Sequence, residues 1–218
     1  MFKQSASRLL CCLLALAGSG AAGAAPWPAA PPLLLPDAES TLQLRAGEVL
    51  VLSTAVGEST GSARVQALFK VAAPALWSVL GDCQANFNFV HGLRECEVLT
   101  ESENRATTRQ RVKRGLFWRS LDYSFETVRE PHAWIRIRLL EGDLKELEGS
   151  WRFDPFPTGE ALLVTHEIRL RPRLPAPAWL VERTVRRDVA DMVACLRWHS
   201  GGSPDSEVAR QDRQRCPD

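Results

Sequence analysis

The stretch Gly142–Pro155, GDLKELEGSWRFDP, decides the fold class of this chain. After a glycine turn it alternates as a strand does, so Leu147, Trp151 and Phe153 share one face and the charged residues between them share the other. Gly149 lies on the apolar side, where a glycine marks a bend or a close approach to the backbone. The stretch therefore predicts a strand of a curved sheet whose concave face is apolar, with room beside Gly149.

The same alternation continues on both sides of this strand. It predicts a first extended segment at 47–56, a strand at 63–71, and further strands at 95–101, 105–113, 121–128, 134–140, 144–153 and 161–171. One face of the later strands is apolar, with Ala106, Val112, Leu121, Tyr123, Phe125, Ile135, Ile137, Leu139, Val164, Ile168 and Leu170. The other face carries Arg109, Arg111, Arg136, Arg138, Arg152 and Arg169. This pattern indicates an antiparallel sheet with solvent on one side.

Three helices complete the predicted architecture. Pro74 stands where a short helix begins, ending at Gly81, and residues 83–90 predict a second short helix. From Pro177 to Trp198, apolar residues recur at helical spacing: Val181, Val185, Val189, Met192, Val193 and Leu196. Such a helix buries its stripe against the sheet. The expected fold is α+β, with about seven strands curved around a long C-terminal helix and two short helices after the first strand.

The N-terminal sequence is typical of an export signal. Lys3 and Arg8 precede an apolar run at 9–17 and then small residues, which predicts a signal peptide at 1–24 and a periplasmic location. An uncleaved membrane anchor is the alternative. We expect a proline-rich spacer at 25–46, one domain at 47–200 and a disordered tail at 201–218.

Composition and cysteines narrow the function classes. The formal net charge is +1, which gives no reason to expect nucleic acid as a partner. Four cysteines follow the signal peptide, and they allow three pairings. We prefer Cys83 with Cys96, which ties the end of one helix to the next strand; the alternative is that Cys83 is a buried free thiol. No Cys/His cluster has metal-ligand spacing, so we expect neither a metal nor a cofactor.

Four segments carry a resemblance to a known family. They are VAAPALWSVLGD at 71–82, FVHGL at 89–93, GDLKELEGSW at 142–151 and RRDVADMVACLR at 186–197. In this order they resemble the START-like (SRPBCC) superfamily of polyketide cyclase/dehydrase and lipid-transport proteins, and look closest to its bacterial coenzyme Q-binding-like branch. The resemblance implies a helix-grip fold with a cavity for a hydrophobic ligand. It transfers no catalytic residue, because the family shares none. An export signal and a disulfide set this chain apart from intracellular members of the family.

Large apolar residues on inward faces are the candidate ligand contacts. The candidates are Phe87, Phe89, Leu116, Phe117, Trp118, Tyr123, Ile137, Trp151, His166, Trp179 and Val185. Core packing is the competing interpretation, above all for aromatic side chains. The stretch from Arg111 to Arg119 mixes cations with aromatics, which suits an anionic membrane surface. The alternative there is a solvated strand end followed by a loop over the cavity.

Tyr123 and His166 are polar side chains on the apolar face. They can orient a ligand oxygen, act as acid and base in a cyclisation or dehydration, or be satisfied wall residues. Three functions follow. The first is an exported domain that binds a lipid, isoprenoid quinone or similar molecule between sheet and C-terminal helix. The second is a cyclase or dehydratase with Tyr123 and His166 as its weak catalytic candidates. The third is an envelope interaction protein with a filled core.

Overall fold

A single antiparallel sheet carries the fold of the computed structural model, which describes residues 29–53, 56–57, 60–113, 120–157, 159, 161–173 and 177–217. The strands are β1 Leu50–Ser53, β2 Val56–Gly57, β3 Thr60–Phe69, β4 Leu93–Ser102, β5 Arg105–Val112, β6 Leu121–Glu130, β7 Trp134–Gly142, β8 Leu144–Pro155 and β9 Leu162–Pro172. The helices are α1 Ala38–Arg45, α2 Ala73–Gly81, α3 Cys83–Asn86, α4 Ala178–His199 and α5 Ser206–Arg213. Among the described residues, no helix is both long and apolar enough to span a membrane.

The strand order confirms the predicted meander. It runs β1-β3-β9-β8-β7-β6-β5-β4, and β2 pairs with β3. The sheet therefore has more strands than the seven expected, because two short strands flank β3. Cross-strand partners share a face, so the pairs Val65–His166, His166–Trp151 and Trp151–Ile135 place one continuous row on the concave side.

The long helix α4 packs along β3. Its buried residues Val181, Val185, Val189, Val193 and Leu196 form one core with the concave residues of β3 and β9. At Gly61 the two elements are so close that an added Cβ would lie 2.8 Å from Val185 Cγ2. The glycine is required there by this close approach. The predicted helix-grip arrangement is confirmed, with the helix lying over the β3 side of the sheet.

Helices α2 and α3 cover one end of the concave face. Leu76 and Phe89 are buried in the core, and the Trp77 ring meets the Phe153 ring edge-on with centroids 6.0 Å apart. The second short helix ends at Asn86, earlier than predicted. A disulfide joins Cys83 at the start of α3 to Cys96 in β4, the pair that the sequence analysis preferred.

The prediction of a spacer at 25–46 is wrong for residues 29–46, which the structure describes. Residues 29–36 lie on the outer face of the sheet, where Arg136 Nε donates to Ala29 O at 2.6 Å and Arg152 Nη1 donates to Pro31 O at 2.7 Å. Proline-rich backbone offers few donors but keeps its carbonyl acceptors, and the outer-face arginines supply the missing donors. Helix α1 follows, and its fully buried Leu44 packs in a small second core.

The predicted disordered tail at 201–218 is also wrong. Residues 206–213 form α5, whose N-cap Asp205 accepts from two backbone amides, and a disulfide joins Cys216 to Cys195 on α4. The tail has a polar composition, but a buried ion pair, a cap and a disulfide hold it to the domain. The folded unit therefore extends beyond the predicted limits of 47 and 200 at both ends.

Candidate functional site

Within the described part of the chain, part of the concave face is not covered by a helix. Six side chains there are only half-buried and pack against one small buried cluster, and we call them the concave wall: Tyr123, Phe125, Ile137, Leu139, Ile168 and Leu170. Beneath them Leu121, Leu144 and Leu147 are buried. A contiguous apolar surface that keeps partial solvent contact is typical of a binding site.

The position of the helices explains why the wall is open. Helix α4 covers β3, where Val65 and Ala67 are fully buried, and α2 and α3 cover the end that holds Phe153. The wall lies on β6, β7 and β9, beyond both groups of helices. Burial therefore changes along β9, where His166 is buried and Ile168 and Leu170 are half-buried.

The deep end of the concave face holds a polar group among apolar neighbours. His166 is 2% exposed and stacks on Trp151, with ring centroids 3.8 Å apart and the planes 19° apart. Its Nδ1 lies 2.9 Å from the carbonyl oxygen of Ser150, which can only accept, so Nδ1 carries the proton. Burial lowers the pKa of His166 to about 4. At neutral pH the ring is therefore uncharged, and Nε2 presents a free lone pair.

Tyr123 lies at the opposite end of the wall. Its hydroxyl donates to Gln110 Oε1 at 3.2 Å, and Gln110 Nε2 lies 3.8 Å from the sulfur of Cys96. Part of the tyrosine ring is exposed, yet burial raises the pKa of Tyr123 to about 12. The hydroxyl therefore stays protonated at neutral pH and is already engaged as a donor.

The two candidate acid–base residues are not brought together. The row that contains His166 crosses β6 at Arg129, six residues from Tyr123 on the same strand. At a rise of about 3.3 Å per residue, this offset alone is roughly 20 Å. One reacting atom cannot contact both side chains, so the structure does not support Tyr123 and His166 as a catalytic pair.

The other predicted ligand contacts fall into four groups. Ile137 is part of the concave wall, whereas Phe89, Trp151 and Val185 are buried in the core. Phe87 and Trp179 are placed elsewhere: Phe87 lines a surface pocket beside Trp198, and Trp179 is 61% exposed at the start of α4. Neither residue is part of the concave wall, although Trp179 was expected to line or cap the pocket mouth from the first turn of the long helix. Leu116, Phe117 and Trp118 lie outside the described residues.

The proposed membrane stretch Arg111–Arg119 is described only at its beginning. Arg111 in β5 donates to Glu95 at 2.5 Å and to Asp122 at 3.0 Å. Arg109 also donates to Asp122, and these arginines help to lower the pKa of the Asp122 carboxyl to about 2. Arg111 therefore belongs to an ion-pair network on the outer face of the sheet. Residues 114–119 lie outside the part of the chain that the structure describes.

A pocket of about 500 Å³ lies on the outer face and has a different character. Its lining alternates arginines and glutamates, and these pair across strands: Arg64 with Glu167, and Arg105 and Arg138 both with Glu126. Charges that neutralise one another in this way suit a solvated sheet face. We therefore place the candidate site on the concave wall and not in this pocket.

One group of side chains has the donor types of a metal site. Donor atoms of Cys195, His199 and Cys216 all lie within 4.8 Å of one another. The two sulfur atoms are bonded to each other, so they are not available as thiolate ligands. The expectation that the chain uses no metal stays a prediction.

Four of the six wall residues were not among the predicted ligand contacts: Phe125, Leu139, Ile168 and Leu170. Their alternation placed them on the inward face, but it did not show which part of that face the helix leaves uncovered. The missing information was the position of α4 over β3, which depends on long-range packing and leaves no local signal.

Comparisons with known proteins agree with this architecture. A STAR-related lipid transfer protein fragment from Xanthomonas axonopodis superposes with a TM-score of 0.57 at 17% identity, covering 68% of this chain and 98% of that one. A protein from Thermus thermophilus gives 0.54 at 16% identity, covering 66% and 99%. A START superfamily protein from Mycobacterium smegmatis gives 0.53 at 15%, covering 64% and 97%. At these identities the likeness concerns the fold. The comparison with curated proteins gave no match.

A family profile covers more than half of the sequence. It is described as polyketide cyclase / dehydrase and lipid transport, and it matches residues 70–197, from the end of β3 to the last turns of α4. That range contains the concave wall, the helices that flank it and the His166–Trp151 stack. The chain therefore belongs to the polyketide cyclase/dehydrase and lipid transport family, with the START-like fold.

Proposed function

We propose that this protein binds a hydrophobic molecule, such as a lipid or an isoprenoid quinone, against the concave wall. The observation that carries the proposal is the patch of six half-buried side chains that pack on one buried cluster beside the main core. A ligand that covers about 300 Å² of apolar wall gains on the order of 7 kcal/mol before the costs of association. The lipid transfer protein from Xanthomonas axonopodis supports the proposal by its fold.

We also propose that binding takes place outside the cytoplasm. The sequence of residues 1–24 has the charge and hydropathy pattern of a signal peptide, and two disulfides join the described cysteines in pairs. Intact-mass analysis of protein from the cell envelope tests this proposal. We expect an N-terminus at Ala25 and four fewer hydrogens than the reduced chain. An intact N-terminus in a cytoplasmic fraction would contradict it.

The enzymatic alternative has less support. A cyclase or dehydratase needs an acid and a base close to one reacting atom, and Tyr123 and His166 are too far apart for that role. Burial also raises the pKa of Tyr123 to about 12 and lowers that of His166 to about 4, and both values lie far from the neutral pH at which a general acid or base is most effective. A binding module needs no such pair. The filled-core alternative predicts a closed concave face, whereas the wall keeps partial exposure.

Native mass spectrometry of the protein from the envelope, followed by extraction of bound molecules, is the test of this function. We expect one apolar molecule per chain. Leu139→Arg places a cation on the wall and should abolish co-purification, whereas Leu140→Arg should not, because Leu140 is 48% exposed at the neighbouring position. Equal ligand occupancy in both folded variants, or no binding of any lipid or quinone by the wild type, would overturn the proposal.

A further inference from the structure

The His166 ring has one nitrogen without a partner. Nδ1 is engaged with Ser150 O at 2.9 Å, whereas Nε2 is buried and has no hydrogen-bond partner among the described residues. A buried acceptor that is left unpaired weakens folding unless another group donates to it. The bound molecule proposed above is one source of such a donor.

The orientation of the ring places this nitrogen toward the interior. His166 is on the concave side of β9, in the row formed with Val65 and Trp151. Nδ1 turns back toward the backbone of β8, and Nε2 is at the far end of the ring from the backbone. It therefore points away from the strands, toward the core that the sheet forms with the helices, at the deep end of the concave face.

The next row of the sheet connects His166 to the concave wall. That row contains Ala63, Ile168, Gly149 and Ile137. Gly149 adds no side chain, and Ile137 lies beside it, with its Cδ1 atom 3.6 Å from where a Cβ on Gly149 would stand. Ala63 adds only a methyl group, which is buried in the core with α4. Ile168 and Ile137 are already half-exposed members of the wall. An elongated apolar molecule on the wall thus has its inner end nearest to His166.

Only one protonation state is available to this group near neutral pH. The carbonyl of Ser150 fixes the proton on Nδ1, and burial lowers the pKa of His166 to about 4, so Nε2 stays unprotonated. Trp151 covers one face of the ring at 3.8 Å and holds its orientation. The site therefore offers an acceptor and no donor at this position.

We propose that His166 Nε2 accepts a hydrogen bond from a hydroxyl group on the inner end of the bound apolar molecule. The ligand class is then a long-chain alcohol, a hydroquinone or another hydroxyl-bearing apolar molecule. An ether or a quinone carbonyl offers only acceptors and leaves the histidine lone pair unpaired. This inference rests on the proposed binding function and narrows its ligand class.

A matched pair of probes tests the inference. Hexadecanol and hexadecyl methyl ether have the same alkyl chain, and the ether carries a methyl group in place of the hydroxyl hydrogen. Each is titrated into the mature protein to displace a bound fluorescent fatty-acid probe. We expect the alcohol to bind the wild type roughly tenfold more tightly than the ether. In His166→Phe the preference for the alcohol should disappear, because the alcohol binds more weakly. His166→Gln keeps a hydrogen-bond acceptor, so this variant should retain part of the preference.

The outcomes separate the inference from the function on which it rests. If neither probe binds the folded wild type, the binding function itself fails. If both probes bind equally, or if His166→Phe keeps the preference for the alcohol, His166 does not bind the hydroxyl group and the inference fails. Nitrogen-15 NMR gives a second measurement that does not depend on variants: the Nε2 resonance should move on addition of the alcohol and stay in place with the ether. An unmoved resonance at saturating alcohol would overturn the inference.

Discussion

Arg197 on α4 and Asp212 on α5 form a bidentate ion pair that is almost completely buried. Arg197 Nη2 donates to Asp212 Oδ1 at 2.7 Å and Arg197 Nε donates to Oδ2 at 2.8 Å, and the two residues are 1% and 2% exposed. Arg197 also donates to the carbonyls of Gly47 and Leu68. The guanidinium of this α4 residue thus connects helix α5, the loop after α1 and strand β3.

Replacing Asp212 by Asn should destabilise the protein strongly. The substitution keeps the shape but leaves a buried guanidinium without its counter-charge, which costs about 3–5 kcal/mol. Chemical denaturation measures this loss of unfolding free energy. Glu207→Gln is the control on the same helix, because the Glu207–Arg210 pair is exposed and is worth at most about 1 kcal/mol. Equal effects of the two substitutions would show that α5 is not held by the Arg197 contact.

Leu44 and Leu42 provide a matched pair on α1. Leu44 is fully buried against Leu68 and Leu163, whereas Leu42 is 68% exposed. Leu44→Ala should lower the free energy of unfolding by about 2–5 kcal/mol, since it removes buried methyl groups and leaves a cavity. Leu42→Ala should change it by less than about 0.5 kcal/mol. If both variants unfold like the wild type, residues 38–45 are a dispensable spacer after all.

Period-two alternation predicted the sheet well because most strands have apolar residues on one face and polar or charged residues on the other. The strand limits at 105–113 and 121–128, for example, differ by at most two residues from β5 and β6. The limits of α4 also followed from its apolar stripe, since the predicted helix at 177–198 differs by one residue at each end from the observed one. Local pattern and tertiary packing agree in these elements, so the local signal was sufficient.

The two terminal segments were mispredicted for a common reason. Residues 29–36 are held by single hydrogen bonds from Arg136, Arg152 and Gln66, and residues 206–213 by Arg197 and a disulfide. These partners are far away along the chain, and no periodicity marks them. Proline content and polarity indicate weak intrinsic structure, but they do not report what the rest of the domain offers. The uncovered wall was missed for the same reason.

Removing the Cys195–Cys216 disulfide should loosen the C-terminal segment. The bridge joins two cysteines that are 21 positions apart in the sequence, next to the buried ion pair. The double substitution Cys195→Ala/Cys216→Ala should lower the free energy of unfolding by about 3 kcal/mol, mainly because the unfolded chain regains conformational freedom. Thermal denaturation and limited proteolysis of residues 201–217 measure the effect. Detection of two free thiols at these positions in the exported wild type would contradict the pairing.

His166 should make the stability of the protein depend on pH in a defined window. Its pKa is about 4 in the folded protein, against 6.5 for an ordinary histidine. Between these values the unfolded chain binds a proton that the folded chain does not, so stability decreases as the pH falls from 6.5 toward 4. The loss reaches about 3 kcal/mol at most, since each pKa unit corresponds to roughly 1.4 kcal/mol. Above pH 6.5 this contribution is constant.

Comparison with His166→Phe isolates that contribution. Burial also lowers the pKa of His199, but its effect is common to both proteins, and the lowered pKa of Asp122, about 2, acts below pH 4. The difference in unfolding free energy between wild type and variant should therefore change only between pH 6.5 and 4. Urea denaturation at half-unit pH steps measures it. Parallel curves across that window would mean that the pKa of His166 is the same in the folded and unfolded chains. Nε2 would then be protonated below about pH 6.5 and could accept a hydrogen bond from a hydroxyl only above it.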